Sequence, residues 1–152
     1  MSTCDPQTYD NPHIPPGVWP VMLTPFDDRG AIDWHALDAL VEWYIDAGVA
    51  GLFAVCLSSE MYKLSAEERV QLAAGVVDRA AGRVPVVAAG AFGESTAARA
   101  AMAERLYDTG LTAVVLTVNQ LAAEGEDDAV WQQRAAAVFD AHEDVSLFLL
   151  KD

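Results

Sequence analysis

Apolar runs and amphipathic stretches alternate along this chain from about residue 17 onward. Val18 to Phe26 is a short apolar run closing on Pro25. After it, Leu37, Leu40, Val41, Tyr44 and Ile45 recur at helical spacing, with Asp33 placed to cap the helix and Gly48 to end it. Gly51 to Val55 predicts the next strand. Ser65-Ala66-Glu67-Glu68 has the form of a capping box, in which the serine hydroxyl takes a free amide and the glutamate reaches back. Leu72, Ala73, Val76, Val77 and Ala80 then line one helical face before Gly82. Val84 to Ala89 predicts a third strand and Ala97 to Tyr107 a helix with Ala98, Met102 and Leu106 on one side. Leu111 to Val118 predicts a fourth strand. Val130, Arg134, Ala137, Val138 and Ala141 mark a fourth helix, and Val145 to Leu150 a fifth strand.

Strand ends therefore fall near Leu23, Val55, Val87, Leu116 and Leu149, a steady pitch of roughly 30 residues, which is one strand–helix unit. Asp46-Ala47-Gly48-Val49 and Asp108-Thr109-Gly110-Leu111 form a weak internal echo, each ahead of a strand. Such alternation implies a parallel sheet covered by helices. An open doubly wound sheet and a barrel satisfy it equally.

Composition narrows the function more than the fold. The 152 residues are 53% hydrophobic and 21% charged, as a globular domain requires, and the net charge of −14 argues against phosphate backbones and anionic membranes. Cys4 and Cys56 offer neither a disulfide framework nor a metal knuckle. Met1 to Pro16 reads as a polar tail with Asp5, Asp10 and four prolines, without the apolar heart of a signal peptide. No apolar stretch is long enough to span a bilayer, and a cytoplasmic location is expected. His13, His35 and His142 are scattered, so no metal is expected. The four tryptophans, Trp19, Trp34, Trp43 and Trp131, read as packing groups and not as a stacking platform for bases.

In parallel α/β sheets the chemistry sits where strands hand over to helices. Here those places are Thr24-Pro25-Phe26, Cys56 to Glu60, Gly90 to Glu94, Thr117 to Gln120 and Leu150-Lys151-Asp152. In Cys56-Leu57-Ser58-Ser59-Glu60, two hydroxyls and neighbouring amides can hold a small carboxylate; the plainer reading is a polar loop whose serines satisfy backbone groups. Gly90 to Thr96 looks like a phosphate loop only superficially. It lacks the required glycine spacing, and Glu94 would repel phosphate, so a turn with a helix cap is expected.

Three segments taken together resemble the dihydrodipicolinate synthase and N-acetylneuraminate lyase family. Gly17 to Phe26, followed by Asp28, Gly30 and Asp33, is similar to that family's first strand, which typically ends Thr-Pro-Phe. Cys56 to Glu60 with Leu64, Ser65, Glu67, Glu68 and Arg69 is similar to its Gly-Thr-Thr-Gly-Glu motif and the helix start after it. Arg83 to Gly90 with Ser95-Thr96 is similar to its third strand. The resemblance implies a partial (β/α)8 barrel of about five strands and four helices over residues 17–152. It also implies a class I lyase or aldolase, in which a sixth-strand lysine forms a Schiff base with pyruvate or another 2-oxo acid. No separate cofactor is implied.

Carried over position by position, the resemblance makes Thr24, Ser58, Ser59 and Asn119 the expected substrate-binding residues. Ser58 stands for the motif's second threonine and keeps a hydroxyl, Leu57 replaces the first, and Ser59 occupies the glycine position. The family's Thr-Pro-Tyr-Tyr after strand four reads Thr117-Val118-Asn119-Gln120 here, and Leu150 stands at the fifth-strand tyrosine. The lysines are Lys63 and Lys151. Neither falls on a sixth strand, so no catalytic residue is assigned and the chain is expected to be a truncated, inactive member. The alternatives are a non-catalytic half-barrel that binds a small acid or pairs with another chain, a homo-oligomer being expected, and an independent open α/β domain with ligand contacts from Ser58, Ser59 and Asn119.

Overall fold

The computed structural model describes residues 14–122, 125–140 and 147–150; within these, the side chains of 118, 119, 139 and 147–150 are not described. The elements run α1 (Trp34–Asp46), β1 (Leu52–Phe53), a 3-10 turn (Leu57–Ser59), α2 (Ala66–Ala80), β2 (Val86–Ala89), α3 (Thr96–Tyr107), β3 (Ala113–Thr117), α4 (Val118–Leu121), α5 (Asp128–Asp140) and β4 (Leu147–Leu150).

The caps read from the sequence set the helix starts. Asp33 accepts the Ala36 amide at 3.0 Å ahead of α1. Ser65 and Glu68 form the reciprocal box that opens α2, with the Ser65 amide 2.7 Å from the Glu68 carboxylate. In the turn where a cap was expected at no particular residue, Ser95 accepts the Ala98 amide and starts α3 at Thr96, one residue ahead of the expected Ala97. Leu37 and Val41 of α1, and Leu72, Ala73, Val76 and Ala80 of α2, are buried as their spacing required.

The strands pair in chain order, β1-β2-β3-β4, all parallel, with Val87 opposite Phe53 and Ala113, and Val115 opposite Ala89 and Phe148. Residues 18–26 extend this order by one. Val21 bridges Phe53 in parallel, the Phe53 amide donates to Pro20 O and the Met22 amide to Phe53 O. This first segment is thinner than the strand expected over 18–26, because Pro20 and Pro25 have no amide to donate to a ladder. The fourth strand likewise stops at Thr117 instead of Val118, and the chain turns at once into α4. The fifth strand begins, as described, at Leu147; residues 145, 146 and 141 of the expected strand and helix lie outside the described residues.

Successive helices pack on one another, α1 on α2, α2 on α3, α3 on α5, and so share one layer. Sequential parallel strands with a single helical layer make a partial (β/α)8 barrel and not a doubly wound sheet. Every residue of β2 and β3 is buried. Two glycines permit the close packing. A Cβ on Gly51 would stand 2.2 Å from the Trp19 ring, and one on Gly90 would stand 2.2 Å from Val114 Cγ1.

Candidate functional site

Because the strands are parallel, the C-terminal ends of β1 to β4 and the loop at Thr24 face one edge of the sheet. At the end of β1 the chain enters the 3-10 turn. Ser59 is fully buried there, and its hydroxyl accepts the Cys56 amide at 2.8 Å while donating to Cys56 O at 2.7 Å. The Thr24 hydroxyl, also buried, donates to Ser59 O at 2.9 Å. These bonds clamp the turn between the first segment and β1. Glu60 closes it in the left-handed region, φ 58°, with its amide on Leu57 O.

The structure thus brings Thr24 and Ser59 into direct contact and sets Ser58 on the exposed side of the same turn. Both buried hydroxyls work on the backbone, and Ser58 is the one that faces outward. Asn119 lies in α4, directly beyond Thr117, which pairs with Leu150. It is therefore on the same edge, about two strand spacings or roughly 10 Å across from β1. Gly90 bonds to β3 through Val115 O at 3.0 Å.

Cys56 stands at the head of the turn, 3% exposed, with its thiol donating to Met22 O at 3.5 Å. Burial pushes the thiol pKa up, against the hydrogen bonds of Ser59 and Ser58 that favour its anion. That is the character of a packing thiol, not of a nucleophile. Lys63 is exposed and ion-paired with Glu60; Lys151 lies outside the described residues. No cluster of metal ligands occurs among the described residues, and none of their helices is long and apolar enough to cross a membrane.

Two features were not anticipated from the sequence. Arg69 donates to Met61 O at 2.7 Å and lies over the Phe92 ring, 4.1 Å from its centroid, while Tyr62 meets the same ring edge-on. This brace ties the turn after β1 to the loop after β2. Burial holds the Arg69 pKa below its ordinary value. Second, Gln120 is buried, with both amide atoms unpartnered among the described residues. The replacement of a family tyrosine by Gln120 was the one available signal for it.

The profile of the Dihydrodipicolinate synthetase family matches residues 15–123. The 4-hydroxy-tetrahydrodipicolinate synthase of Bartonella quintana is 40% identical over 100 residues, covering 66% of this chain and 34% of that protein. A Streptomyces avermitilis protein named "Probable 5-dehydro-4-deoxyglucarate dehydratase 2" is 36% identical over 116 residues, 76% of this chain and 34% of its own length. Among solved structures, the chloride-inhibited dihydrodipicolinate synthase of Acinetobacter baumannii complexed with pyruvate superposes with a TM-score of 0.80 at 27% identity, over 88% of this chain and 44% of that one. The chain thus spans 44% of that solved barrel and about a third of these two relatives. With strand order, helical layer, motif turn and profile all in agreement, this chain belongs to the dihydrodipicolinate synthetase family.

Proposed function

We propose that these 152 residues form the N-terminal part of a lyase or aldolase that acts on pyruvate-like 2-oxo acids, making or breaking a carbon–carbon bond through a Schiff base. The observation that carries this reading is the clamped turn at the end of β1, where Thr24 and Ser59 fix the backbone and leave Ser58 exposed. A rigid turn with an outward hydroxyl suits a substrate carboxylate, since positioned donors bind an oxyanion without reorganising. Asn119, on the same edge, takes the other flank of the substrate. The pyruvate complex of the Acinetobacter baumannii relative supports the ligand class.

The lysine that would hold the imine is not supplied by these residues. An amine must be neutral to attack a carbonyl, and barrel lysines reach that state by desolvation and neighbouring charge. Lys63 is exposed beside Glu60, and Lys151 follows the fifth strand and not a sixth. Incubating the 152-residue chain with pyruvate, adding borohydride and weighing the product is expected to leave the mass unchanged. A specific adduct on Lys151 would make this chain a compact enzyme and overturn the strand register behind the reading. Binding is read separately. Pyruvate is expected to move the Ser58 amide resonance saturably, and Ser58→Ala to weaken that response several-fold; an unchanged affinity in that variant removes Ser58 from the site.

A second reading, association with another chain, is favoured by Val21 and Leu23. These alternate with buried Met22 and Thr24 and are 50% and 58% exposed on the outermost segment of the sheet.

A further inference from the structure

The turn that presents Ser58 is held from two sides, and the clamp of Thr24 and Ser59 accounts for one of them. That clamp fixes the turn where it leaves β1. On its far side Glu60 takes the left-handed backbone, φ 58°, without being a glycine. Such a conformation is costly for a residue with a Cβ and persists where the surrounding contacts over-determine it. Within the turn itself the Glu60 amide meets Leu57 O at 3.0 Å, and the Met61 amide makes a long bond of 3.3 Å to Cys56 O.

Arg69, near the start of α2, supplies the second hold. Its Nε donates to Met61 O at 2.7 Å, on the residue directly after Glu60. Its guanidinium carbon lies 4.1 Å from the centroid of the Phe92 ring, whose face attracts the cation. Phe92 is a firm base for this contact. It is buried, its amide donates to Gly90 O at 2.9 Å, and the next residue, Gly93, is tied to α3 by Arg99, whose Nε stands 3.0 Å from Gly93 O. Arg69 thus joins three pieces of the proposed substrate edge: α2, the turn after β1 and the loop after β2.

We propose that Arg69 is a positioning residue for Ser58: by holding Met61 O from α2 it keeps Glu60 left-handed and so fixes the turn that carries the Ser58 hydroxyl. Its part in substrate binding rests on the 2-oxo acid reading above, whereas its hold on the turn does not.

Hydrogen exchange of the Glu60 and Met61 amides in the 152-residue chain reads the hold without ligand, with the Val76 and Val77 amides inside α2 as the reference for the fold. In Arg69→Leu the two turn amides are expected to exchange about tenfold faster, the size of one lost charge-assisted hydrogen bond, while the α2 amides keep the parent rate. Arg69→Lys, which retains a cationic donor, is expected to recover most of the protection. Phe92→Leu leaves Arg69 present and takes away the ring beneath it. A smaller rise at the same two amides is expected, and this variant reads the coupling if Arg69→Leu does not fold. Pyruvate is then titrated against the Ser58 amide resonance, where Arg69→Leu is expected to weaken binding several-fold and Arg69→Lys to restore it. Parent exchange rates at Glu60 and Met61 in Arg69→Leu overturn the proposal. So does an equal loss of protection throughout α2, which would make Arg69 a residue of general stability, and so does an unchanged pyruvate affinity in a variant whose turn amides have loosened. A parent that gives no saturable pyruvate shift removes the 2-oxo acid reading instead, and the exchange rates still decide whether Arg69 holds the turn.

Discussion

Ser59 and Ser58 are adjacent and chemically identical, yet their surroundings divide their roles. Ser59 is sealed in the turn with its hydroxyl bonded to both backbone groups of Cys56, and Ser58 faces outward. Removing the Ser59 hydroxyl leaves the Cys56 amide without an acceptor in a buried place. Ser59→Ala is therefore expected to lower the unfolding free energy by about 1–3 kcal/mol, measured by urea denaturation, whereas Ser58→Ala should fall within about 0.5 kcal/mol of the parent. Equal effects would mean that the turn is not clamped as described. Sequence reasoning could place both serines at the end of a strand but could not rank them, because which side of a 3-10 turn faces the core is not written in an apolar period. Gln120 was out of reach for the same reason, since a polar residue carries no periodic sign of its own burial.

At the scale of elements, the helix starts were the most legible feature, because Asp33 and Ser65 each satisfy free amides through local bonds that sequence spacing alone decides. What depends on partners far along the chain was harder to read. The short α4 and the thin pairing of residues 18–26 follow from tertiary contact and from prolines within an apolar run. One distant tie has a measurable consequence. Glu42 of α1 receives two bonds from Arg83, at 2.7 and 2.8 Å, and a third from Arg79 at 2.9 Å, fastening α1 to the end of α2. The Arg83 hydrogen bonds hold the Glu42 carboxyl below its usual pKa. A carboxylate with a depressed folded pKa contributes stability above its unfolded pKa of about 4.3 and loses it as pH falls through the folded value. Glu42→Gln should thus unfold more easily than the parent at pH 7, with the gap closing below about pH 4 and shrinking in high salt, because the pair is partly exposed. A gap that stays constant with pH would show that packing, not charge, is responsible.

For the whole molecule, periodicity could not choose between an open sheet and a barrel, since both alternate strand and helix at one pitch. The motif order resembling a known family chose, and the single helical layer agrees with it. The outermost segment gives a prediction at this scale. With Val21 and Leu23 half exposed beside β1, the chain is expected to self-associate in sedimentation velocity as its concentration rises, and paired Val21→Glu and Leu23→Glu substitutions to shift it toward monomer. A parent that stays monomeric at every concentration would count against the pairing reading. Neighbour-only strand pairing also bears on how the protein is made. Each strand docks on the one synthesised just before it, so the sheet can lengthen vectorially at the ribosome exit, one strand–helix unit at a time. At synthesis rates of about 5–20 residues per second, a roughly 30-residue unit emerges every few seconds. Loop closure over so short a separation is far quicker, so each of the described strands after the first meets a neighbour already made.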